Sequence, residues 1–284
     1  MIVRVLGMMI GASAALAACA GSSGSLQDDQ ATLYEVSTMV LQAPGEPAML
    51  CLGAVATSFP PQCGTYPIPN WDWERVAGET SSGGTTWGVY HIVGALDGDV
   101  FTLTEPPGSP QRQPREELSD RFATPCDPPE GGWVPPDPAR ATENTMGRAA
   151  DVADAAPDVA GFWIDDQNRR GEYQDPQEII LNVAYTGNLE AHEAELRAVW
   201  GGSLCVIRFE RTEASLRAIQ DELMNGLADE LGLEVLSIGP DTVDNVLSLE
   251  VAVVFPDTQA ELDGRYGEGV VRVTGVLRPV TEDD

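Results

Sequence analysis

Five cysteines, two histidines and the triplet Trp71-Asp72-Trp73 are the residues of this chain whose types and spacing suit them to chemistry. Cys19 closes the stretch Leu16-Ala17-Ala18-Cys19, behind the apolar run Val5 to Ala18 and the single cation Arg4. That order, a cation, a short apolar run and small residues ahead of a cysteine, predicts cleavage before Cys19 and transfer of a diacylglyceryl group to its sulfur. Fourteen residues at ~1.5 Å each reach about 21 Å, less than a hydrocarbon core of ~30 Å, so the run reads as a cleaved signal rather than a span. Two acyl chains, at ~0.8 kcal/mol per buried CH₂, hold a soluble domain on a membrane where one chain holds it marginally.

Cys51, Cys63, Cys126 and Cys205 remain after processing. An even number in an exported chain predicts two disulfides, and four cysteines allow three pairings. Cys51 with Cys63 is favoured, because both lie in the short stretch Leu50 to Gly64, which folds back across Pro60-Pro61. That bridge contributes about 3 kcal/mol in the chain-entropy picture. Cys126 then pairs with Cys205 by elimination. Zinc is the rival ligand, but a spacing of twelve and the lack of any CxxC fit it poorly.

His91 sits within Val89-Tyr90-His91-Ile92-Val93 and His192 on a helix after Asn188; neither has a nucleophile and a carboxylate beside it in sequence. Asp165 to Gly171 imitates a calcium loop. Counted from Asp166, however, Arg170 takes the fifth position and Gln177 the twelfth, where acids are required, so a polar loop is expected. Trp71 and Trp73 have two readings. Flanking an acid, they suit stacking on sugar rings or a cation; at i and i+2 on a strand, they share one face and pack a core. All sixteen basic residues are arginine, which closes Schiff-base, Ser-Lys and P-loop chemistry. No metal and no cofactor are expected.

Elements must position these groups. Leu33 to Leu41, Met49 to Val55, Trp87 to Val93 and Val100 to Leu103 read as strands, with Asp97-Gly98-Asp99 as a hairpin turn. Short strands with no helix to cover their edges predict a small closed antiparallel β-barrel, OB-like, over residues 31–105. Residues 106–138 are rich in proline and read as an extended linker, its second half docked through Cys126 and Trp133. Residues 139–284 alternate elements: a strand Ile179 to Tyr185, a helix from Asn188 to Trp200 ended by Gly201-Gly202, and a strand Leu204 to Phe209. Thr212 caps a helix whose stripe is Leu216, Ile219, Leu223 and Leu227. Strands Leu233 to Ile238 and Val246 to Phe255, a short helix from Asp257 and a strand Val270 to Leu277 follow. The fold class expected is α+β, a barrel domain followed by a mixed-sheet α+β domain. Residues 1–18 are the signal and 19–30, with Gly21-Ser22-Ser23-Gly24-Ser25, a flexible tether.

The formal net charge of −29 becomes −30 once Arg4 leaves with the signal. Such a surface repels nucleic acid and anionic headgroups and favours cationic partners.

Residues 160–255 resemble the pro-regions of streptogrisin and alpha-lytic-type secreted proteases. The likeness is carried by Gly161-Phe162-Trp163-Ile164-Asp165, Ile180-Leu181-Asn182-Val183, the helix entered through Thr212, and the hairpin from Ile238-Gly239-Pro240-Asp241 to Asn245-Val246 leading into Leu249-Glu250-Val251. The whole chain is similar to uncharacterised actinobacterial lipoproteins through Leu50-Cys51-Leu52-Gly53, Pro60-Pro61-Gln62-Cys63, Glu130-Gly131-Gly132-Trp133 and Arg265 to Val271. The first likeness implies a module that binds another exported protein through a sheet edge or its acidic face, with no protease activity of its own; the second implies no activity.

The expectation is a lipid-anchored, extracytoplasmic, non-catalytic interaction or structural module of the cell envelope. Its partners would be the membrane, through Cys19, and an exported protein or cell-wall glycan. The alternative is a glycan or small-ligand binder using Trp71 and Trp73, and a third reading is an enzyme centred on His91.

Overall fold

The computed structural model describes residues 32–111, 121–166 and 175–281. Cys19, the tether and the loop from Gln167 to Gly171 lie outside them. The first sheet is built on two long strands, β1 (Leu33–Gln42) and β5 (Thr85–Asp97), antiparallel from Leu33 opposite Ala95 to Gln42 opposite Thr86. Short strands widen it: β2 (Met49–Cys51), β3 (Tyr66–Pro67) and β4 (Thr80–Ser82) give the order β3-β2-β1-β5-β4, and β6 (Val100–Leu103) pairs with the far end of β5. Val36, Val40, Tyr90 and Ile92 alternate toward a core completed by Leu50, Ile68 and Phe101.

The closed OB-like barrel expected for residues 31–105 is not formed. β3 is two residues long and ends at Pro67, which has no N–H with which to extend a ladder. The gap between β3 and β6 is bridged by a side chain instead: Asn70 Nδ2 donates to the Leu103 carbonyl at 2.9 Å, and its Oδ1 accepts the Leu103 N–H at 3.1 Å. An amide side chain offers the donor and acceptor that a strand would have supplied. Residues from the far end of the chain finish this core. Ala252, Val253 and Leu277 are buried in it, and β13 (Arg278–Pro279) pairs with Glu35 and Tyr34 of β1.

Between these ends the chain runs twice through one topology. The first pass is α1 (Glu143–Asp154), β7 (Val159–Asp166), β8 (Ile179–Tyr185), α2 (Leu189–Val199) and β9 (Ser203–Arg208). The second is α3 (Glu213–Glu222), β10 (Val235–Asp241), β11 (Val246–Val251), α4 (Thr258–Tyr266) and β12 (Val271–Gly275). In each, the first two strands are antiparallel and the third returns through a helix to lie parallel to the middle one. The molecule is therefore mixed α+β with mostly antiparallel pairing.

Each pass buries one sheet face under its two helices. Ile179, Leu181, Val183 and Tyr185 of β8 meet Ala149, Ala153 and Leu196; Leu247, Leu249 and Val251 of β11 meet Leu216 and Leu262. The stripe from Thr212 is interrupted: Asn225 (φ −89°, ψ 23°) and Gly226 (φ +121°) break the helix after α3, so Leu223 and Leu227 reach the core across a kink. Thr212 Oγ1 accepts the Ser215 N–H, as a cap does. Asn188 occupies its N-cap position at φ +49° without a side-chain cap bond. At the end of α2, a Cβ on Gly202 would lie 2.1 Å from the Trp200 ring, so glycine there answers to packing rather than to turning.

Candidate functional site

Both expected pairs of cysteines are bonded. Cys51 at the end of β2 joins Cys63, and Cys126 joins Cys205 in β9, with Cα separations of 5.3 and 5.9 Å. The second bond clamps the proline-rich strap, whose Trp133 and Pro136 line a hollow of about 340 Å³ with Glu193, Arg197 and Leu204. Further along, Asp137 N–H donates to the Gly201 carbonyl and Gly201 N–H to that of Arg140, so the strap is stitched to the turn after α2.

Trp71 and Trp73 do not share a strand face. Trp73 opens a 3₁₀ turn, Trp73–Arg75, capped by Asp72, whose side chain accepts the Glu74 N–H. The two rings meet edge to face with centroids 5.3 Å apart, and Trp71 lies 5.1 Å from Tyr90. Both pack half-buried against the core of the first sheet, and Trp73 Nε1 donates to Gln42 Oε1 at 2.6 Å. The packing is that of a core margin, with one indole N–H already spent.

His91 acquires partners that the linear sequence hid. Ser37 stands directly opposite it across the β1–β5 ladder, and its hydroxyl shares a 3.2 Å hydrogen bond with His91 Nδ1; Glu35 Oε2 lies 3.6 Å from Nε2. The order Ser-His-Glu resembles a hydrolytic relay. Beside it, Gly108 pairs with His91 through both backbone groups, and the Gln111 N–H donates to Ser37 Oγ at 2.9 Å. These bonds tie this stretch to the sheet beside the Ser37–His91 pair. Alternation would have found this partnership only with the register known.

His192 is held among acids. Its Nε2 lies 2.9 Å from Asp158 Oδ1, its Nδ1 3.7 Å from Glu195, and its ring stacks on Tyr185 at 4.0 Å. Burial, then the charges of Asp158, Glu195 and Asp154, push the Tyr185 phenol up to about 12. An apolar groove of about 530 Å³ opens beside this cluster, lined by Val152, Ala155, Ala156, Pro157 and Ala198.

A second hollow, of about 360 Å³, lies where the first sheet meets the second pass; nothing in the sequence marked it. The Gly98-Asp99 turn, with Gly98 at φ +55°, reverses β5 into β6 and sets Asp99 at its rim. Tyr34 comes from β1, Tyr66 from β3, Glu234 from the residue before β10, and Phe255 from the loop before α4. The buried Tyr66 phenol donates to Glu234 Oε2. Burial foremost, then Glu234 and Asp99, hold that phenol well above the ordinary tyrosine range. The residues converge through long-range topology, so no local spacing could have signalled them.

No protein-family model matches the chain, and no curated protein matches it.

Proposed function

We propose that this protein is a lipid-anchored, extracytoplasmic and non-catalytic interaction module of the cell envelope, tethered through Cys19. The observation that carries the reading is the closure of both cysteine pairs, Cys51 with Cys63 and Cys126 with Cys205, because such bonds persist in oxidising compartments. Leu16-Ala17-Ala18-Cys19 supplies the anchor. The engagement of His91 and His192 in structural bonds supports a non-catalytic role, and the packing of Trp71 and Trp73 favours a core margin over a glycan platform. The resemblance of residues 160–255 to protease pro-regions supports binding to another exported protein, which the acidic surface would select for positive charge.

The test is fatty-acid labelling with membrane fractionation of the full chain against Cys19→Ser. Label and membrane retention confined to the chain with Cys19 support the proposal. An unlabelled chain that still begins at Met1 in the cytoplasm sinks it.

A further inference from the structure

The hollow between the first sheet and the second pass has a composition that selects a ligand. Tyr34, Tyr66 and Phe255 supply three aromatic rings, Asp99 and Glu234 two carboxylates, and among the described residues no basic side chain lines it. Glu234 accepts Tyr66 at Oε2, while its Oε1 takes no hydrogen bond among the described residues. Phe255, 48% exposed, keeps an aromatic face accessible on this hollow. A volume of about 360 Å³ lies at the small end of ligand pockets, ~300–1,000 Å³.

Two kinds of cation suit carboxylates. A hard metal ion takes six or more oxygens, or an octahedron with several waters, and gains little from apolar rings. An organic ammonium group places its charge against carboxylates while its methyl or methylene surface meets aromatic carbon, and the ring quadrupole adds to the attraction. Three rings and two acids fit the second better than the first. Tyr66 contributes twice: its bond to Glu234 fixes that carboxylate, and its phenol stays protonated and donating at neutral pH.

We propose that this hollow binds a small alkylammonium group, with Asp99 and Glu234 meeting the charge and Tyr34, Tyr66 and Phe255 enclosing the carbon. The inference goes beyond the anchored-module reading and does not depend on Cys19 being modified. The ammonium group has two sources to distinguish, a free quaternary ammonium compound or a lysine side chain of a partner.

The experiment is calorimetric titration of the full chain in a non-ionic detergent with choline, with its neutral isostere 3,3-dimethylbutanol, and with Nα-acetyllysine methylamide. Saturable choline binding at least about tenfold tighter than the isostere is expected, weakened about tenfold by Glu234→Gln and less by Asp99→Asn. Both variants keep the fold, since glutamine still accepts the Tyr66 bond and Asp99 is an exposed turn residue; unchanged melting temperatures check this. Choline tighter than the lysine derivative assigns a free quaternary ammonium compound, and the reverse order a primary ammonium such as a partner's lysine. Equal binding of choline and its isostere, or choline affinity unchanged in both variants, overturns the proposal.

Discussion

The two passes through the helix-strand-strand-helix-strand topology solve the same packing problem and finish it differently. In the first, all seven residues of β8 are buried: the helices cover one face, and Trp163 and Phe209, stacked 6.1 Å apart, join Ala160 and Ala184 over the other. A strap bonded through Cys126 shares a hollow with β9, whose Leu204 carbonyl accepts from the Arg197 guanidinium. In the second, Ser248 of β11 is exposed and only one face is fully covered. Its edge strand β12 is closed by Gln259, whose Nε2 donates to the Val271 carbonyl and whose Oε1 accepts the Val273 N–H. The first pass is tied to a strap by a disulfide, the second has its edge answered by a side-chain amide, and the second lends Ala252 and Val253 to the first sheet. An edge strand needs its backbone groups answered; how they are answered decides which surfaces stay open.

The disulfide gives the largest handle on this difference. Cys126→Ser with Cys205→Ser opens a loop with a sequence separation of 79, and we expect a loss of about 4–5 kcal/mol, read by denaturant unfolding. Hydrogen exchange should rise first in β9 and α2 and leave β11 protected; equal deprotection of both passes would break the comparison.

Leu181 and Leu249 lie on the helix-facing sides of the two central strands, each fully buried. Alanine at either should cost about 2–5 kcal/mol, with Leu181 at the upper end because its strand is enclosed on both faces and collapses less readily. Equal unfolding midpoints for the two variants would count against that asymmetry.

Asp241, at the end of β10, accepts the Arg121 guanidinium and the N–H groups of Val243 and Asp244. Burial opposes its charge, yet these bonds together hold its carboxyl below its ordinary 3.8. A depressed carboxyl contributes stability that is present above about pH 4 and lost as pH falls. Asp241→Asn should destabilise near neutrality by about 1–2 kcal/mol and flatten the acid limb of the stability curve.

Gln259→Ala frees the edge of β12 and should cost about 1 kcal/mol, with concentration-dependent association visible by sedimentation. The smallest effect belongs to Tyr185. Its phenol is raised in the folded state, so its contribution is complete below pH 10 and lost between there and about 12. Tyr185→Phe should shift the alkaline unfolding midpoint upward and leave the neutral midpoint almost unchanged.

Much of this architecture was legible locally. The hairpin at Gly98, the cap at Thr212 and the alternation of Leu247, Leu249 and Val251 follow from short-range rules and recur in the structure. Helix α1 carries no such signal, because its buried positions are Ala149 and Ala153, too small to stand out as an apolar stripe. The kink at Asn225-Gly226 was missed for the opposite reason: the leucine stripe continues across it.

What the sequence by itself determined is the chemistry available: arginine as the only strongly basic residue, five cysteines, four of which pair as two bridges, and the periodicity of strands and helices. Tertiary structure alone decided that Ser37 faces His91, that Asn70 rather than a strand spans the gap to β6, and that Asp99 and Glu234, 135 positions apart, line one hollow. Periodicity acts over a few residues, where backbone geometry sets it. Convergence of distant side chains depends on register and on burial of the whole core, which no local window contains.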